Sequence, residues 1–176
     1  MERALELNPS SADIMALSAG AMYHLGRPEQ GAALCDKAYR LNSAPPPWYP
    51  PFCYKNYFFT KRYRESVEAT KRFDAWQRAH ELDPLVFRTA AQVEAGAADD
   101  AAATIAEWKQ KYPEVPVEAY MSFYIVFSRQ QEADQLVAAL RKAGAPMCVP
   151  GEKLADFPKL QHLKICDEER AKQAVR

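Results

Sequence analysis

The sequence predicts an all-α fold: an array of helix-turn-helix units over residues 1–145, closed by a short, partly helical tail over 146–176. Three observations predict it. A helix-stop pattern recurs, in which an apolar face gives way to a polar residue and then a breaker. It reads Ala4-Leu5-Glu6-Leu7-Asn8-Pro9, then, degenerately and 34 residues on, Ala38-Tyr39-Arg40-Leu41-Asn42-Ser43, with a third form at Ala79-His80-Glu81-Leu82-Asp83-Pro84. Between these stops, apolar residues fall at helical spacing in paired segments. Thirteen prolines against six glycines, with no strand-rich segment, complete the pattern.

The elements follow in order. Ile14, Met15, Leu17, Met22 and Leu25 give the first full helix its apolar positions, and Gly26 ends it. Arg27-Pro28-Glu29 opens the second, since Pro suits the first turn and an acid there complements the helix dipole. Ala32, Ala33, Leu34, Cys35 and Ala38 form its small face. Ala44-Pro45-Pro46-Pro47-Trp48-Tyr49-Pro50-Pro51 should be an extended link, because Pro cannot lie inside a regular helix. The next unit spans Pro47–Arg78, with Tyr63–Glu81 as a lengthened or broken second helix. A third unit, Leu82–Val115, turns at Gly96 and stops at Pro113. A last pair follows, Val117–Phe127 and Arg129–Ala143, joined by the capping-box form Ser128-Arg129-Gln130-Gln131 and ended by Gly144. Pro150, Gly151 and Pro158 break the tail, whose end, Asp167–Val175, is helical in character.

With 23 basic and 23 acidic residues the net charge is zero, which argues against a globally basic nucleic-acid binder. No apolar run reaches membrane-spanning length and no basic-then-apolar signal segment opens the chain, so the expected location is the cytosol and no membrane partner is expected. Scarce glycine argues against a phosphate loop or dinucleotide fold. Cys35, Cys53, Cys148 and Cys166 form no C-x-x-C pair and are read as four reduced thiols, with no metal site. His24, His80 and His162 have no nucleophile with an orienting partner nearby, and Asp99-Asp100 open a helix rather than forming an acid/base pair. No catalytic residue, metal or cofactor is expected. Lys55, Lys61, Arg62, Arg64, Lys71 and Arg72, interleaved with Tyr54, Tyr57, Phe58, Phe59 and Tyr63, make a local basic region. It suits an acidic protein face better than nucleic acid.

The paired helices resemble the tetratricopeptide repeat (TPR). In Ala12–Pro45, Gly26 stands at the family's turn, Gly31 and Ala38 at its small positions, and Met15 and Met22 where it prefers Trp and Tyr. In the next unit Tyr57 takes an aromatic position, Lys61 replaces Gly at the turn, and Ser66 replaces Ala. In the third, Gly96 and Ala101 match and Trp108 replaces Ala. The resemblance covers about Ala4 to Gly144 and implies an α-α superhelix whose first helices line a concave groove for a protein or peptide ligand. Carried over from the family, the groove positions are Ala16, Gly20, Tyr23 and His24, then Pro51, Lys55, Phe58 and Phe59, then Val86, Ala90, Val93 and Glu94. In the proline-rich link, Trp48 and Tyr49 either pack back on the array as part of a rigid spacer or border the partner groove. A carboxylate clamp is not expected, because Lys55 alone suits one.

Leu140-Arg141-Lys142-Ala143-Gly144-Ala145-Pro146 is similar to the close of the TPR region that follows the catalytic domain in bacterial class III adenylate and guanylate cyclases. That resemblance implies a non-catalytic region of a bacterial signalling protein. A stand-alone adaptor or a secretion or assembly chaperone is the alternative. Met1-Glu2-Arg3-Ala4 reads as the last turns of a second helix, so the chain reads as a fragment whose cut end could pair two copies into a homodimer.

Overall fold

A computed structural model describes residues 2–74, 82–123, 125 and 129–174. Among the described residues every regular element is a helix: α1 Glu2–Leu7, α2 Ala12–His24, α3 Pro28–Leu41, α4 Pro50–Phe59, α5 Tyr63–Asp74, α6 Leu82–Glu94, α7 Ala98–Lys111, α8 Val117–Phe123, α9 Gln130–Ala143, a 3-10 helix at Gly151–Asp156, and α10 Lys164–Ala174. None is long and apolar enough to cross a membrane. Ala79, His80, Glu81, Trp76 and Ser128 lie outside the described residues, so part of the third helix-stop form and the capping box do too.

Helices α2 and α3, α4 and α5, and α6 and α7 pack as three successive hairpins. The turn chemistry explains them. Gly26, Lys61 and Gly96 each hold a positive φ, at 68°, 60° and 82°, and stand 35 residues apart. At each, the following residue's N–H reaches back to a carbonyl in the last turn: Arg27 to Met22 at 2.9 Å, Arg62 to Tyr57 at 2.8 Å, Ala97 to Gln92 at 2.9 Å. That bond satisfies carbonyls the helix end would leave bare. Gly144 closes α9 the same way, with φ 76° and Ala145 N–H on Leu140 O at 3.1 Å. Among the described residues Lys61 alone adopts this left-handed conformation with a Cβ, which disfavours it. Lys61→Gly should therefore raise stability by about 0.5–1 kcal/mol, the relief of strain being partly offset by unfolded-state entropy. An unchanged or lower urea midpoint would contradict this.

Proline is placed differently from expectation. Pro50 and Pro51 lie in the first turn of α4, and Pro84 in the first turn of α6 rather than beyond a helix end. The missing N–H costs nothing there, because first-turn amides have no intrahelical acceptor. The link before α4 packs back on the array: Tyr49 is fully buried and its hydroxyl donates to Asp13.

The hairpins meet at close quarters. Asn56 of α4 is fully buried and donates from Nδ2 to Ala19 O at 2.9 Å and Phe52 O at 2.7 Å. A Cβ on Gly31 would sit 2.1 Å from Asn56 Oδ1, so α3 can approach α4 only through a glycine. Gly31→Ala should cost about 1–3 kcal/mol, as overpacking of a filled interface does, read as a lower thermal midpoint. Nearby, Cys35 and Cys53 are bonded across α3 and α4, with Cα atoms 5.7 Å apart. Cys148 and Cys166 are bonded in the tail, with Cα atoms 5.3 Å apart. The reading of four reduced thiols is thus corrected: no cysteine is free. Antiparallel helices bring together residues that chain spacing keeps apart.

The fourth pair departs from a simple stack. Helix α9 packs along α6. Gln135 Nε2 reaches Phe58 O, Lys142 pairs with Glu94 at 3.1 Å, and Arg129 lies against Gly26. Its 14 residues, about 21 Å at 1.5 Å per residue, are long enough to span three helices at their usual spacing of 8–10 Å. Leu136, Ala139, Leu140 and Glu132 are its buried face. Helix α9 is therefore a strap over the C-terminal ends of α2, α4 and α6.

The tail is anchored rather than loose. Pro146 O and Met147 O accept from the first amides of α8, Val117 N at 2.8 Å and Glu118 N at 2.9 Å. Glu118 is completely buried, and its carboxylate accepts from Val149 N, Leu163 N and both terminal nitrogens of Arg170 at 2.9–3.1 Å.

Candidate functional site

Successive first helices α2 and α4 enclose a pocket of about 240 Å³ lined by Gly20, Tyr23, His24, Pro51, Phe52, Tyr54, Lys55 and Asp83. Five of these, Gly20, Tyr23, His24, Pro51 and Lys55, are groove positions carried over from the resemblance. Gly20 permits the close approach, since a Cβ there would fall 2.4 Å from the Phe52 ring.

Lys55 is the pocket's cation. Its ammonium sits 2.7 Å from Asp83 Oδ2 and 5.4, 5.9 and 5.7 Å from the ring centres of Tyr23, Tyr54 and Phe87. Aromatic faces attract a partly desolvated ammonium, and the carboxylate fixes it. Asp83 also accepts from Tyr54 Oη at 2.6 Å and from the Tyr120 hydroxyl. One carboxylate thus ties α4, α6 and α8 together. Burial, then the Asp83 charge, pushes the Tyr120 and Tyr23 hydroxyls well up, so both stay protonated donors. Partial burial and then the Lys55 charge hold the His24 imidazole below its ordinary value, which keeps it neutral at pH 7. The pocket therefore offers a neutral imidazole, aromatic edges and a cation already paired. Groups of this kind suit holding a ligand, and none of the lining residues is a nucleophile poised beside a base. Among the described residues, no three His, Cys, Asp or Glu side chains are grouped to hold a metal ion.

The downstream groove positions are corrected by their burial. Phe58 and Val86 are fully buried, and Tyr23, Phe59 and Val93 nearly so, all in one core cluster with Leu136 and Leu140 of α9, so Tyr23 forms the pocket's floor and little of it is exposed. Phe59 stacks on Tyr23 at 5.8 Å, and Phe58 and Phe59 both meet Phe87 edge-on. They are core, not contact surface: alanine at Phe58 and Phe59 would remove packing rather than a partner contact. Trp48 is half-buried and lies edge-on to Tyr49 and Phe52, at the α4 end of the pocket.

The basic region is also reassigned in part. Arg62 forms a two-pronged bond with Asp36 at 2.7 and 3.0 Å and a third with Glu65 at 2.9 Å. Tyr57 Oη donates to the same Asp36 at 3.0 Å. Lys71 pairs with Glu68 and Lys55 with Asp83, while Arg72 lies over the Tyr39 ring. Three of the run's six cations, Lys55, Arg62 and Lys71, are paired with carboxylates within the chain, which weakens it as a landing site for an acidic partner.

Sequence reasoning missed Asp83, Phe52, Phe87 and Tyr120. Asp83 carried a signal: an acid directly before Pro marks the start of a helix as readily as the stop it was taken for. No protein-family model matches the chain, and no curated protein matches it.

Proposed function

We propose that the chain is a non-catalytic protein-binding module, a TPR-like array that takes a peptide or protein segment at the α2–α4 pocket. The observation that carries this reading is the convergence of Gly20, His24, Pro51 and Lys55, from two successive hairpins, on one small concave surface floored by the buried Tyr23. Because α9 closes the remainder of the inner face, the ligand contact is confined to the α2 and α4 end, bordered by Trp48.

Two versions of this module differ in compartment. A region attached to a nucleotide cyclase would work beside the cytosolic nucleoside triphosphate pool, under reducing conditions. Disulfides persist in oxidising compartments and are rare in the cytosol. The two disulfides favour the other version, a stand-alone adaptor or a secretion or assembly chaperone working where thiols oxidise. Self-association at the α1 end remains part of the proposal, since Leu7 and Leu17 stand exposed there.

A photo-crosslinking residue in place of His24, with a second protein carrying it in place of the exposed Glu68 on α5, tests the pocket. In a non-reduced extract of the source cells, a discrete adduct should form from position 24 and not from position 68. Equal labelling at both, or none at 24, would sink the reading.

A further inference from the structure

A second concave surface lies on the other side of the strap, away from the α2–α4 pocket. Helix α9 turns Leu136, Ala139 and Leu140 onto the array, and its opposite stripe borders a cleft of about 1070 Å³ against the tail segment 161–165. The floor is apolar and drawn from three elements: Met121 and Ile125 at the end of α8 and just after it, Val137 on α9, Leu163 and Ile165 in the tail. Such a volume exceeds most small-ligand pockets, which run to about 1,000 Å³, and suits a peptide segment laid along a helix.

Charge is unevenly placed around this floor. Arg141 and Lys142 stand on one rim and Lys164 on the other, all exposed, with Lys142 already paired with Glu94 at 3.1 Å. The lining carboxylate, Asp134, lies two turns back along α9 and accepts from Gln130 at 2.9 Å. Seven residues of helix separate Asp134 from Arg141, about 10 Å. The cleft is therefore apolar along its length and cationic at the C-terminal end of α9. Its tail wall is fixed beforehand. Leu163 N is held by Glu118 at 3.1 Å, Gln161 N by Ser122 Oγ at 2.9 Å, and the disulfide to Cys148 pins Cys166 immediately after Ile165. A preformed wall lowers the ordering cost of binding.

We propose that this cleft is a second, independent binding site, and that its ligand is an acidic amphipathic segment of a partner protein. The segment's apolar face covers Val137, Leu163 and Ile165, and its carboxylates meet Arg141 and Lys164. Complementary charge at the rim fixes direction and register, while the apolar floor supplies the contact area.

Selection of a displayed random library of peptides of about 16 residues against the full, disulfide-intact chain tests this. Enriched peptides should carry an excess of Asp and Glu together with apolar residues at helical spacing. Binding of those peptides, followed by fluorescence polarisation, should weaken about tenfold or more in an Arg141→Glu, Lys164→Glu double variant and at high salt. Val137→Asp should weaken it as well, and crosslinker substitution at His24 should leave it unchanged. Enrichment without an acidic excess, equal binding by the charge-reversed protein, or no enrichment at all would overturn the proposal. A loss caused by His24 substitution would instead assign the peptides to the α2–α4 pocket and overturn it too.

Discussion

Glu118→Ala should lower the stability of the folded chain by about 3–5 kcal/mol, the usual consequence of removing one partner from a buried ion pair. The carboxylate is fully buried and has four donors. Its loss leaves the Arg170 guanidinium, 15% exposed, without its buried counter-charge, and strands the amides of Val149 and Leu163. Glu118→Gln keeps the shape but turns an NH₂ group toward donors, so it should recover only part of the loss. Denaturant unfolding followed by tryptophan fluorescence gives the magnitude. Hydrogen exchange gives the place, with protection lost first in 146–174. A midpoint equal to that of the unaltered chain would show that the tail does not depend on this pair.

The same group makes the fold sensitive to acid. Burial pushes the Glu118 carboxyl up, but the Arg170, Val149 and Leu163 bonds and the Arg170 charge outweigh it and hold the carboxyl below its ordinary value. A carboxyl depressed in the folded state contributes stability above its unfolded value, about 4.3–4.5. That contribution fades as pH falls through the lower folded value. Tail protection should accordingly be flat near neutrality and fall in acid, and Glu118→Gln should flatten the acid limb.

The hairpins were legible because their turns rest on backbone chemistry that individual residues reveal. Gly26 and Gly96 stand where a left-handed residue ends a helix, and Lys61 was placed at the equivalent position by the resemblance of its segment to the TPR turn. Proline was less transparent: Pro50, Pro51 and Pro84 each read as a break, and each lies in a helix's first turn, where the same missing amide is harmless. Half of the candidate site was also legible. Gly20, Tyr23, His24, Pro51 and Lys55 meet because α2 and α4 pack against each other. The other half was not, because exposure of Phe58, Phe59, Val86 and Val93 depends on where α9 lies. Nothing local in Gln130–Ala143 says that its Leu136–Leu140 face crosses the array instead of extending it. Glu118 and Arg170 are 52 residues apart in the chain, and each alone reads as an ordinary surface charge.

The disulfides carry the last large effect, and they should separate into two classes. Each closes a loop between cysteines 18 residues apart, worth about 3 kcal/mol if the constraint acts through unfolded-state entropy. Their surroundings differ. Cys35 and Cys53 are fully buried between α3 and α4, beside Asn56 and Gly31, where those helices touch. Cys166, at the start of α10, is fully buried too, but its partner Cys148 is only half-buried in the tail, so attack can fall on the Cys148 sulfur. Thiolate attack needs access to a sulfur. Millimolar dithiothreitol without denaturant should therefore open Cys148–Cys166 first, with alkylation and mass spectrometry finding label on Cys148 and Cys166 while Cys35 and Cys53 stay protected. Opening it should loosen 161–165 and leave the three hairpins folded. Replacing both Cys35 and Cys53 by Ala should instead lower the stability of the hairpins themselves, by about 3 kcal/mol plus the packing lost with two buried sulfurs. Simultaneous labelling of all four cysteines would mean that α3 and α4 separate whenever the tail does. The tail would then unfold cooperatively with the array rather than as a separate segment anchored on α8.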